Sequence, residues 1–227
     1  MSDQNLSPFN AMPPVVLALA AVIAGLELMF QLAIGGMLGG QGGVGWRLAA
    51  IADYGMLDEV VQWMIANNSY PTEQLLRFVT YPLIHGSFTH AAFVVVFVLA
   101  IGKMVGEVFS SLAFLAVFMT SAIMGALAFT LLFDSPYPLI GGYPGVYGLI
   151  GSFTYLLWMN LAAHGANQNR AFSLIGILLA IQLLFGFINS EFASVAADLA
   201  GFTTGFVLSF VVSPGGWQRI LIRMRSR

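Results

Sequence analysis

The sequence predicts an all-α, polytopic membrane protein built as a bundle of six transmembrane helices, and three observations predict it. Hydrophobic residues make up 59% of the 227 positions and charged residues 8%, a balance that a water-soluble globule could hold only by exposing large apolar patches. Six apolar runs approach the ~20 residues needed to cross a bilayer core. The few Lys and Arg residues fall unevenly on the two sides of those runs.

The first run covers 14–38 and is interrupted only by Glu27 and Gln31. Four residues apart, these two share one helical face, and a buried hydrogen-bonded pair is expected. The run is too long for a signal-peptide core and no Lys or Arg precedes it, so it reads as a retained helix. The other five runs are 88–105, 112–133, 145–163, 172–188 and 194–212. The long loop at 39–87 opens with Gly-Gly-Gln-Gly-Gly-Val-Gly, which lacks the Gly-Lys-Ser/Thr ending of a phosphate loop and reads as a hinge. Further on, Trp46, Leu48, Ile51, Leu57, Val60, Val61 and Met64 recur at roughly helical spacing. That pattern fits an amphipathic helix at the membrane interface, or equally an extramembrane helical hairpin packed on the bundle.

Lys103, Arg170, Arg219, Arg223, Arg225 and Arg227 fall on one side of the spans, and only Arg47 and Arg77 on the other. By the positive-inside rule both termini are cytoplasmic and the 39–87 loop is periplasmic, as in a bacterial inner membrane. The expected organisation is a cytoplasmic segment at 1–13, a membrane domain at 14–212 and a basic tail at 213–227. The tail, ending Trp-Gln-Arg-Ile-Leu-Ile-Arg-Met-Arg-Ser-Arg, suits anionic lipid headgroups. Lys103 and Glu107 are expected to form an exposed pair of little energetic weight. A net charge of -2 argues against nucleic acid as a partner. The absence of cysteine excludes disulfides, thiolate metal sites and a cysteine nucleophile. His85 and His90 are five apart with no glutamate between them, unlike a zinc-protease helix, so no metal or cofactor is expected.

Three stretches carry a family resemblance. They are Leu-Arg-Phe-Val-Thr-Tyr-Pro-Leu-Ile-His-Gly-Ser-Phe-Thr-His at 76–90, Gly-Gly-Tyr-Pro-Gly-Val-Tyr-Gly-Leu-Ile-Gly at 141–151, and Ala-Asp-Leu-Ala-Gly-Phe-Thr-Thr-Gly at 197–205. In this order and on these helices they resemble the rhomboid intramembrane proteases. The first is similar to the family's Trp-Arg motif and histidine pair, the second to its Gly-x-Ser-Gly stretch, and the third to the sixth helix, where a catalytic histidine precedes two glycines. The resemblance implies a rhomboid-like bundle in which Arg77 and Gly145 are structural. It also places His85, His90, Tyr143, Tyr147, Asp198, Gly201 and Gly205 around one cleft.

Intramembrane serine hydrolysis needs a nucleophilic hydroxyl, a base and oxyanion donors. Aligned without a gap through Tyr147, the family serine position holds Tyr143; aligned on Gly142 and Gly145, it holds Pro144. Proline has no nucleophile, and a tyrosine hydroxyl titrating near ~10 is a poor substitute. Ser152 lies about two turns deeper, and His164 stands at the opposite end of the fourth helix. Asp198 occupies the base position and Val94 that of an asparagine oxyanion donor, while His90 is retained. The expectation is therefore a pseudoprotease with no catalytic residues, which binds transmembrane segments of other integral membrane proteins as a client-binding factor or an accessory subunit. The alternatives are an atypical rhomboid-type serine protease and, from Glu27 and Asp198 alone, a small transporter or channel. Asp198, costly in a membrane, should face the bundle interior with a partner, as a hydrogen-bonded structural pair or as part of an Asp/His cluster.

Overall fold

A computed structural model describes residues 11–189 and 192–216. Among them six helical spans are long and apolar enough to cross a membrane: α1 (Pro14–Ile34), α6 (Phe88–Gly106), α7 (Ser111–Leu132), α8 (Tyr143–Ala163), α9 (Ser173–Asn189), which spans as Gln168–Ile188 together with the helical turn before it, and α10 (Ala193–Val212). Their starts are chemically marked. Pro14 opens α1, where its missing N–H is no loss. The hydroxyl of Ser87 caps α6 by accepting from the His90 N–H, and that of Ser110 caps α7 by accepting from the Ala113 N–H.

The bundle is organised on α8, which is buried on every face from Pro144 to Ser152. It packs on α10, α7 and α6, with α1 lying against α6. Glycine makes the α8–α10 contact possible. A Cβ on Gly205 would collide with the Gly148 carbonyl, and one on Gly201 with the backbone of Pro144. Backbones thus meet directly, as in membrane bundles held by small residues. Gly145 faces the Phe118 ring, where a Cβ would lie 2.6 Å from the nearest ring carbon. At the other end of the pair, Tyr155, Trp158, Phe206 and Phe210 form edge-to-face and tilted ring contacts. By contrast α9 is peripheral, with Ile177, Leu184, Phe187 and Ile188 exposed.

The first loop differs from a single amphipathic helix. It folds as α2 (Gly40–Gly43), α3 (Trp46–Tyr54), α4 (Asp58–Ala66) and α5 (Thr72–Thr80). Helical spacing runs on across 46–64, but Gly55 turns extended and Met56 pairs with Leu139 through two backbone bonds of 3.0 and 2.8 Å. Of the apolar set, Val61 and Met64 are buried, whereas Trp46 and Leu48 are exposed. α4 and α5 pack on α7, and α3 keeps Trp46, Leu48 and Tyr54 exposed. The glycine run forms an exposed corner closed at two points: a Cβ on Gly43 would strike the Leu38 carbonyl, and Gly39 holds a positive φ of 66° beneath the Trp46 ring. α1 stops at Ile34 instead of 38 because Gly35 caps it and Gly36 turns to φ 74°.

Lys103 and Arg170 lie at one end of the bundle and Arg47 and Arg77 at the other. No ion pair joins Lys103 to Glu107. The four tail arginines lie outside the described residues, as do 1–10.

Candidate functional site

Polar residues gather at the end of the bundle formed by α5, the chain entering α6, and the starts of α8 and α10. Arg77 on α5 is buried, and its guanidinium donates to the carbonyls of Ala52 (2.9 Å) and Gly55 (2.7 Å) and to Gln74 (2.7 Å). It thereby holds α3 and the Gly55 break against α5. Next, Tyr81 drives a fully buried ring into the bundle and donates its hydroxyl to the Ala122 carbonyl (2.6 Å). Burial raises its pKa well above the ordinary range, so it stays a donor.

His85 lies in the connection just before α6. Its Nε2 accepts from the Gly142 N–H (3.3 Å), and a backbone bond to Leu83 holds the ring proton on Nδ1. Burial, reinforced by neighbouring His90, pushes the imidazole down to about 4, so the ring is neutral near pH 7. Its carbonyl accepts from Arg47 (2.7 Å). Arg47 in turn grips both carboxylate oxygens of Glu27 at 2.7 and 2.8 Å, while Gln31 donates to the same carboxylate (2.7 Å). The expected Glu27–Gln31 pair is thus present, with Arg47 as a third member.

His90, on the first turn of α6, meets His85 edge-on (4.9 Å between ring centroids) and stacks on Tyr143 (5.1 Å, 15° between planes). Its Nε2 is buried without a hydrogen-bond partner. Asp198, on the second turn of α10, is 4% exposed and accepts a short bond from the Gln182 amide of α9. The glycines one and two turns further along α10 explain its register. Gly201 against Pro144 and Gly205 against Gly148 lock the two parallel helices, leaving Asp198 level with the start of α8.

A cavity of about 430 Å³ lies here, with His90, Phe93, Tyr143, Pro144, Ser194 and Asp198 in its wall together with Ser87, Thr89, Phe129 and the 138–140 segment. Of the residues expected around a cleft, His90, Tyr143 and Asp198 line it, and His85 stands behind His90. Tyr147 and Val94 belong to the packed core instead, Val94 filling the space over Gly142. Gly201 and Gly205 face α8 rather than the cavity. Ser152 is sealed in the α8–α10 contact, donating to the Gly205 carbonyl (3.3 Å) and accepting from Ser209 (2.8 Å). His164 bonds the Asn160 carbonyl at the far end of α8. A second cavity of about 420 Å³ separates α1 from α3 and is almost wholly apolar, with Trp46, Asp53 and Tyr54 in its wall.

Three participants were not singled out by the sequence reading: Arg47, Gln182 and Ser194. Two carried signals. Glu27 needs a cation, and only Arg47 and Arg77 fall on its side of the membrane; Gln182 is the lone strongly polar side chain inside its apolar run. Ser194 had none, since a serine near a helix start is ordinary.

A helix-opening Gly-x-x-Gly segment at 142–145 thus packs on the glycine-bearing sixth span, beside a histidine entering the second. The Rhomboid domain model matches residues 72–215, from the start of α5 to just past α10. No curated protein matches the chain significantly. With most of the chain matched, five of six spans inside the matched region and an all-helical bundle around α8, this polytopic integral membrane protein belongs to the rhomboid family.

Proposed function

We propose that this rhomboid-family protein is a pseudoprotease that binds transmembrane segments of other integral membrane proteins, as a client-binding factor or a fixed accessory subunit. The observation that carries the reading is the chemistry of the cavity wall. Serine hydrolysis requires a hydroxyl bonded to its base. Among the described residues, none of the hydroxyls in the wall, on Ser87, Thr89, Tyr143 and Ser194, bonds to a histidine ring or a carboxylate. Asp198, in the base position, is engaged by Gln182. Tyr143 and Pro144, the two alignments' occupants of the serine position, face the same cavity, and the Tyr143 hydroxyl bonds to neither His90 nor Asp198. The space itself persists: about 430 Å³ is ample for side chains of a docking segment, and the exposed Phe93 borders it on α6.

The excess of Lys and Arg on the side of Lys103 and Arg170 supports an orientation with both termini in the cytoplasm of a bacterial cell. The cavity then opens in the periplasmic half of the inner membrane, and the basic tail meets anionic lipid.

The test is a photo-crosslinking residue at Phe93 in the full-length protein, combined with a serine-directed fluorophosphonate probe. Expected are crosslinks to integral membrane proteins and no labelled serine beside an active rhomboid control. A specifically labelled serine, or crosslinks to lipid alone, refutes the proposal.

A further inference from the structure

We infer that the cavity selects membrane segments that carry a lysine or arginine near their outer end, with Asp198 as the counter-ion. The inference rests on the helix-binding reading above and names the chemistry of its partner.

Asp198 sits five residues into α10, ~7 Å along the helix at ~1.5 Å per residue. That is deep enough for a carboxylate to need a partner and shallow enough for a long basic side chain to reach it. Nothing cationic reaches it within the described residues. Their only ion pair is Arg47–Glu27, Arg77 is turned toward the carbonyls of Ala52 and Gly55, and Lys103 and Arg170 lie at the opposite end of the bundle.

Several polar atoms around Asp198 are left free to accept a hydrogen bond. One of its carboxylate oxygens accepts from Gln182 and the other has no hydrogen bond, in a side chain that forms part of the cavity wall. The Gln182 carbonyl oxygen is buried and unpaired. Nε2 of His90, in the same wall, is also buried and unpaired, and an imidazole nitrogen accepts when its ring proton is on Nδ1. The free carboxylate oxygen and the amide oxygen can only accept, the His90 nitrogen accepts in that tautomer, and the wall hydroxyls of Tyr143 and Ser194 carry lone pairs besides, so the wall suits a group that donates and never accepts. Ammonium and guanidinium are the two such side-chain groups that keep their positive charge at neutral pH and so neutralise the carboxylate. A hydroxyl or an amide from the incoming segment would satisfy one acceptor while leaving the charge. An acidic segment would place like charges together in low dielectric.

The experiment reconstitutes the full-length protein in vesicles with fluorescently labelled single-span peptides of about 20 leucines and alanines. One position, five residues inside the outer end, is Leu, Lys, Gln or Glu, and association is read by energy transfer. The Lys peptide is expected to bind at least tenfold tighter than the Leu peptide. Asp198→Asn should reduce it to the Leu level, and Asp198→Glu should retain most of the preference. Equal binding of Lys and Leu peptides to the unmodified protein overturns the inference while leaving helix binding intact, and so does a preference for Gln or Glu. Failure of every peptide to associate overturns helix binding as well. The comparison on unmodified protein decides the matter even if Asp198→Asn does not fold.

Discussion

Replacing Arg47 with leucine isolates the buried ion pair that ties α1 to the first loop. In the native protein the side chains of Arg47 and Glu27 are 9% and 5% exposed, and the fork–fork contact closes at 2.7 and 2.8 Å. A guanidinium carbon 5.2 Å above the Phe30 ring adds a cation–π contact. Removing one member of such a pair leaves the other buried and uncompensated, at about 3–5 kcal/mol. For a chain of this size each kcal/mol lowers Tm by ~2–4 °C, so Arg47→Leu should melt ~6–20 °C lower in mild detergent. The double variant Glu27→Leu/Arg47→Leu removes both charges and should recover much of that loss. It will still fall short by the ~1–3 kcal/mol of the His85 carbonyl, which loses its donor. Thermal melts of the three proteins followed by circular dichroism measure the set. A double variant as unstable as the single, or a single variant within ~1 kcal/mol of the parent, would refute the claim that the pair is both buried and mutually dependent.

Two further outcomes follow from the packing and the electrostatics. The folded His85 imidazole titrates at about 4 against ~6.5 when unfolded. The unfolded chain therefore takes up the proton first, and the associated stability, full above pH ~6.5, falls away as the pH drops toward 4, by about 3 kcal/mol in all. Melts from pH 8 to pH 4 should show this decline, and His85→Gln should flatten it; a parent curve flat across the window contradicts the buried neutral ring. Gly205→Ala would drive a Cβ into the Gly148 backbone, which cannot swing aside, at ~2 kcal/mol or more. Gly25→Ala meets nothing within 4 Å and should be neutral or slightly stabilising. Equal effects of the two substitutions in the same melting assay would contradict the α8–α10 contact.

The six spans were readable because lipid imposes a length and a composition on each, and the ends fell within a few residues of the caps at Pro14, Ser87 and Ser110. What the sequence concealed was every contact made across distance. Glu27 and Gln31 announced themselves as neighbours by their spacing, but the cation twenty residues away in Arg47 depends on how the glycine corner folds back. The apolar period through 46–64 ran unbroken across Gly55, since periodicity does not register a strand-like pairing to Leu139. The cleft residues came from motif order, and the structure divides them. His90, Tyr143 and Asp198 face open space, whereas Tyr147, Gly201 and Gly205 were brought to the same neighbourhood by helix packing and turn elsewhere.

The bond from Arg47 to the His85 carbonyl crosses a border that the family match does not. Residues 72–215 contain the histidine, the cavity and the glycine contacts between α8 and α10, while the guanidinium that steadies the histidine backbone and the carboxylate that steadies the guanidinium both come from upstream. The portion recognisable as rhomboid thus takes one of its backbone anchors from residues upstream of it. A fragment beginning at Thr72 would carry each wall of the cavity but leave the His85 carbonyl, in the turn behind His90, without the guanidinium that anchors it.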